Sequence, residues 1–162
     1  MQRNIKLYPW FQACRSLLFW QAVWFLYFQN VLSAAEAVML AAIYDIGTLI
    51  LEVPSGYMSD RIGRRITLIA ATLATLTGCL MLGLGSSFYV FALAQVMLGA
   101  GTAFASGTDN ALLYDSLIED GREADVAWHE ARAWRFTFAG LAVSALIGGL
   151  VSMYAMNYAF LL

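Results

Sequence analysis

The stretch GYMSDRIGRR, residues 56 to 65, sets two glycines, one aspartate and three arginines between two long apolar runs. A helix needs roughly 20 consecutive apolar residues to span a bilayer, and charge inside hydrocarbon is costly. The stretch therefore reads as an aqueous connection between two membrane spans. Gly56 and Gly63 suit tight turning and close backbone approach. Asp60 suits the N-cap of a helix, and Arg61, Arg64 and Arg65 form a cluster able to pair with carboxylates. The plainer reading is a solvated, charged loop.

Outward from this stretch the chain is oily. Its 162 residues are 61% hydrophobic and 12% charged, with a mean hydropathy of +0.68, more apolar than one soluble core of this size requires. The apolar runs place spans at about 16–35, 37–58, 66–85, 88–114 and 132–152, with a sixth beginning near 157. The expected fold is all-α: a polytopic membrane helical bundle in one domain, 1–162, with five complete helices and the start of another. Ser33 to Glu36, SAAE, fits a capping box that opens the second helix. Gly85, Ser86 and Ser87 make a tight turn, and 115–131 is the longest link.

The nine Lys and Arg residues all fall on one side of this layout: Arg3, Lys6 and Arg15 before the first span, Arg61, Arg64 and Arg65 after the second, and Arg122, Arg132 and Arg135 around the link before the fifth. By the positive-inside rule that side, and with it the N terminus, is cytoplasmic. The first apolar run is too long for a cleaved signal and reads as a retained helix.

Ionisable groups within spans are candidates for a cavity or a coupling site. Asp45, Thr48, Glu52, Ser55 and Ser59 recur at helical spacing on one face of the second span. They form either a water-filled pathway, with Asp45 or Glu52 taking a proton or cation, or a packed polar seam. Asp109, on the fourth span, is placed to serve coupling, or packing against an arginine near the cytoplasmic end. Gln21 is the polar group set well inside the first span and is taken as cavity-lining. Gly140, Ser144 and Gly148 mark a small-residue seam suited to close packing on the fifth.

Cys14 and Cys79 read as free packing thiols rather than a disulfide framework, and His129 as a solvated residue of the link before the fifth helix. No zinc-spaced cysteines, HExxH, P-loop or GxSxG occurs, so neither enzyme, metal site, cofactor nor nucleic-acid partner is expected. The expected partners are the lipid bilayer and a small-molecule substrate.

GYMSDRIGRR resembles the motif that the major facilitator superfamily carries between its second and third helices. LEVPSG just before it looks like the end of the second helix in many bacterial members, and SGTDNALLYDSL, residues 106 to 117, resembles a fourth-helix ending found in some. The resemblance implies secondary transport by alternating access in a bacterial cytoplasmic membrane. It implies a gate in which Gly56, Ser59, Asp60, Arg61, Gly63, Arg64 and Arg65 latch the two halves, with Arg64 pairing to Asp115. Members have two six-helix halves, so the chain is expected to be the N-terminal half, cut near the start of the sixth helix, its partner the missing half or another copy. The alternative is a truncated, non-transporting membrane protein that binds other helices, or a non-functional gene fragment. GLAVSALIGG in the fifth span has the glycines but not the proline of the drug-antiporter motif, so antiport has no support.

Overall fold

The computed structural model describes residues 2–162. Among them run seven α-helices and no strand: α1 Gln2–Arg15, α2 Trp24–Gln29, α3 Ala34–Ile62, α4 Arg64–Leu84, α5 Phe88–Ala105, α6 Thr108–Glu119 and α7 Val126–Ser152. Four helical stretches are long and apolar enough to cross a membrane: α3, α4, α5 with α6, and α7 with the turn before it.

Local chemistry explains the ends. The Ser33 side chain accepts from the Glu36 backbone N–H while the Glu36 carboxylate accepts from the Ser33 backbone N–H, so the capping box that opens α3 is complete. Gly85 to Ser87 turn α4 into α5. Gly63 alone joins α3 to α4, at φ 107° and ψ 146°, a conformation that strains any side chain larger than hydrogen.

Glycines set how closely the helices approach. A Cβ on Gly99 would lie 2.9 Å from the Tyr44 carbonyl oxygen of α3, and one on Gly101 would lie 2.2 Å from Thr75 Oγ1 of α4. The central helix α5 is thereby clasped from both sides. On α7, a Cβ on Gly140 would stand 2.8 Å from the Ala13 carbonyl oxygen, and one on Gly148 would overlap the Phe19 carbonyl oxygen at 1.8 Å. Between them Ser144 is buried, its Oγ donating to Leu141 O at 3.0 Å and lying 3.4 Å from Ser16 O. The small-residue seam thus receives the N-terminal segment. Tyr27, Phe28, Leu40, Leu82 and Phe91 form one apolar core, and Ile5, Tyr8, Leu113, Leu117 and Ala133 form another.

The expected first span, 16–35, is not one helix. Residues 16–23 are non-helical, and the regular helix before them begins at Gln2. Apolar content alone misplaced it, because the polar segment 2–15 finds polar partners inside the bundle. Gln2 reaches Asp120, Asn4 reaches Ser116, and Tyr8 donates to Asn110. After the break, the Tyr27 hydroxyl donates to Leu82 O at 2.6 Å near the opposite end of the bundle. Residues 2–29 therefore run from the end bearing Asp120 to the end bearing Leu82. Non-helical backbone at such depth is tolerated where protein covers it, and the glycine seam of α7 does so.

Three further expectations are revised. The fourth span bends at Ser106 and Gly107, the glycine at φ 73° in the left-handed region. The long link shrinks to residues 120–125, because α6 runs to Glu119 and α7 starts at Val126. His129 consequently lies in a helix and is buried rather than solvated, its Nε2 3.3 Å from Arg122 Nη2.

Candidate functional site

At the α3–α4 turn the Arg64 guanidinium gathers three partners. Its Nη1 pairs with Asp60 one turn back and donates to Ser59 Oγ at 2.9 Å, and its Nε lies 3.3 Å from Asp115 Oδ2 on α6. One side chain so ties α3, α4 and α6 at a single corner. The corner is wet: the side chains of Asp60 and Asp115 are 68% and 50% exposed, whereas Ser59 beneath them is buried.

GYMSDRI is helical to Ile62 rather than a loop, since Gly63 alone suffices to turn the chain. Asp60 therefore sits in the last turn of α3 and caps no helix N-terminus. A carboxylate there opposes the helix dipole, which the neighbouring Arg61 and Arg64 offset. Arg61 lies over the Tyr57 ring at 5.4 Å, Arg65 is exposed, and open space surrounds the position a Gly56 side chain would take.

A second arginine cluster lies deeper. Arg15 Nη1 is 2.7 Å from Asp109 Oδ2, and Gln12 Nε2 donates to the same oxygen at 3.1 Å. Asp109 Oδ1 accepts from the Asn110 backbone N–H at 2.8 Å, and Gln12 also donates to the Tyr8 hydroxyl at 3.0 Å. The Asp109 side chain is only 7% exposed. Six residues separate it from Asp115, which along a helix is about 9 Å.

Two helix breaks build this second cluster. Arg15 is the last residue of α1, where a cation favours the dipole, and Asp109 is in the first turn of α6, where an anion does. The bend at Gly107 brings the α6 N-terminus inward, and the glycine seam of α7 holds the chain where α1 ends. A buried carboxylate is retained only when paired and hydrogen-bonded, and Asp109 meets both conditions.

A fixed spacing could not reveal the Arg15–Asp109 pair, because 94 positions separate its members. Gln12, Tyr8 and Asn110 were missed with it. The available signal was a lone arginine at the edge of one apolar run and a lone aspartate inside another. Arg15 accordingly leaves the group of charges that simply precede the first span.

The remaining candidates stand apart. Asp45 and Glu52 are exposed on α3, Glu52 with Ser106 Oγ 3.4 Å away, whereas Ser55 on the same helix is buried. Gln21 is exposed in the non-helical stretch. A cavity of about 490 Å³ opens between that stretch and α4, lined by Arg15, Leu18, Trp20, Thr75 and Cys79 among others. A smaller one of about 140 Å³ lies against Asp109, Tyr8 and Leu68. Cys14 and Cys79 are free thiols.

The sequence matches the Major Facilitator Superfamily over residues 10–162. It is also similar to solute carrier family 2, facilitated glucose transporter member 10, of Danio rerio, at 27% identity over 125 residues, 77% of this chain. The chain covers 21% of that relative's length. Apolar helices of spanning length agree with the match and make this an integral membrane protein. With all but its first nine residues inside the matched region, the chain belongs to the Major Facilitator Superfamily.

Proposed function

We propose that this chain is part of the N-terminal half of a secondary transporter that carries a small-molecule substrate by alternating access, with residues 56–65 and Asp115 as its cytoplasmic gate. Residues 2–29 make a first, broken crossing, so five crossings precede residue 156. Arg3, Lys6, Arg61, Arg64, Arg65 and Arg122 then gather at one end, which the positive-inside rule makes cytoplasmic. The residues of LEVPSG favour a bacterial cytoplasmic membrane. The observation that carries the gate is Arg64 spanning Asp60, Ser59 and Asp115. Such a tie is exposed and hydrogen-bonded, strong enough to set a preferred arrangement and weak enough to be exchanged during rocking of the halves.

The Arg15–Asp109 pair is the better candidate for ion coupling than Asp45 or Glu52. Its carboxylate is buried next to a cavity and is held by Arg15, which is 35% exposed. The Danio rerio relative is a facilitated glucose transporter by name, which makes glucose the first substrate to assay. In vesicles holding the complete membrane product of the gene, Asp60→Asn is expected to abolish counterflow of the transported solute while insertion stays intact. Full counterflow by that variant overturns the gate. Asp109→Asn is expected to flatten the pH profile of transport, and an unchanged profile removes it as a coupling group.

A further inference from the structure

The opening turns of α1 and α7 share an exposed face that neither the gate nor the ion pair uses. On α7, Trp128, Arg132 and Arg135 follow at i, i+4 and i+7 and so lie on one side. The Arg132 guanidinium lies 5.6 Å from the centre of the Trp128 ring and 5.9 Å from that of Phe136. Trp10 of α1 meets Phe136 edge-on at 5.1 Å. Trp10 and Trp128 are 60% and 54% exposed.

The register of the two helices fixes what stands beside them. Ala13 packs at Gly140 and Trp10 at Phe136, so the helices run parallel and Lys6 and Arg3 come level with Arg132 and Trp128. Arg3, Lys6 and Trp10, at i, i+3 and i+7, share an exposed face of α1. Asn4 bonds Ser116, one residue beyond the Asp115 that Arg64 reaches, so the patch is level with the gate end of the bundle.

Charge separates this patch from an ordinary polar surface. Arg15, Arg64 and Arg122 each have a carboxylate partner. Among the described residues Arg3, Lys6, Arg132 and Arg135 have none; Arg61 and Arg65, at the α3–α4 turn, also have none, but of the six only Arg132 lies over two aromatic rings. The nearest acid in sequence, Glu130, is two residues from Trp128, about 200° around the helix.

We propose that this face binds the phosphate of an anionic phospholipid headgroup, such as phosphatidylglycerol, in the leaflet at the gate end. Arg132 is the principal ligand, Arg135 assists, and Arg3 and Lys6 supply the field. A guanidinium presents a planar fork matched to phosphate oxygens, and stacking on two rings orders it before the lipid arrives. Exposed tryptophans sit at headgroup depth, and basic recesses between spanning helices collect anionic lipid.

The test uses the 162-residue chain in phosphatidylcholine nanodiscs doped with phosphatidylglycerol, with retained lipids counted by native mass spectrometry. The wild type is expected to retain phosphatidylglycerol over phosphatidylcholine. Arg132→Gln and Arg135→Gln should each lower that preference by about five-fold, and Arg132→Lys less, because it keeps the charge without the fork. Arg122→Gln, which removes an already paired cation at the same end, should leave it unchanged. Circular dichroism checks the fold of each variant. If Arg132→Gln loses helix, the wild type alone decides: its preference must fall as salt rises. An indifferent wild type overturns the proposal. So does Arg122→Gln weakening retention as much as Arg132→Gln, which would mean general surface charge, and so does displacement of the lipid by millimolar inorganic phosphate.

Discussion

Arg64 and Arg15, themselves 28% and 35% exposed, each reach a carboxylate on α6, yet the surroundings of those carboxylates differ. At the Arg64 corner both acids are at least half exposed; at the inner pair Asp109 is nearly sealed, with Gln12 and a backbone N–H completing its shell. Exposed ion pairs contribute little, about 0–1 kcal/mol. Removing the cation beside a buried carboxylate strands that charge and costs about 3–5 kcal/mol. The same chemistry thus gives a tie that can be exchanged and a joint that fixes where α1 ends.

The sharpest way to break this contrast is at Arg15. Arg15→Ala, which strands the buried Asp109 carboxylate, should destabilise the chain by about 3 kcal/mol in detergent unfolding, and a loss below about 1 kcal/mol would put the pair in the same class as the Arg64 corner. Next in size is Gly148→Ala, whose new methyl meets the Phe19 carbonyl. It is expected to cost about 2 kcal/mol and to expose residues 16–23 to protease, because the seam holding the break is filled. Arg64→Ala should cost no more than about 1 kcal/mol, though it frees Asp60 and Asp115 of their shared partner. Smallest is salt: ionic strength should weaken any coupling measured between Arg64 and Asp115 and leave that of Arg15 with Asp109 nearly unchanged. Equal responses would erase the distinction.

The Arg64 corner was legible as a cluster because its residues lie within ten positions, and the resemblance supplied Asp115 as the distant partner. α3, α4 and the start of α7's apolar face followed from runs of hydrophobic residues, and the cap of α3 from Ser33 and Glu36. The course of residues 2–29 was not legible. Hydropathy looks for unbroken apolar runs, and here a polar helix, 2–15, enters the bundle by pairing with α6 while the apolar residues 16–23 are not helical. Such pairing depends on where α6 lies in space, which the bend at Gly107 decides. His129 was misread for a related reason: a polar stretch between spans does not show that α6 and α7 extend through most of it.

The most direct measurement is a double-mutant cycle on Arg15→Gln and Asp109→Asn, with unfolding of all four proteins followed in one detergent. Docking of α1 on α6 through Arg15 and the buried Asp109 carboxylate is expected to give a coupling of at least about 2 kcal/mol, with the double variant more stable than Arg15→Gln alone would suggest. Additive effects would contradict it, since Arg15 and Asp109 would then not meet, and residues 2–29 would not form the broken crossing on which the inner joint depends.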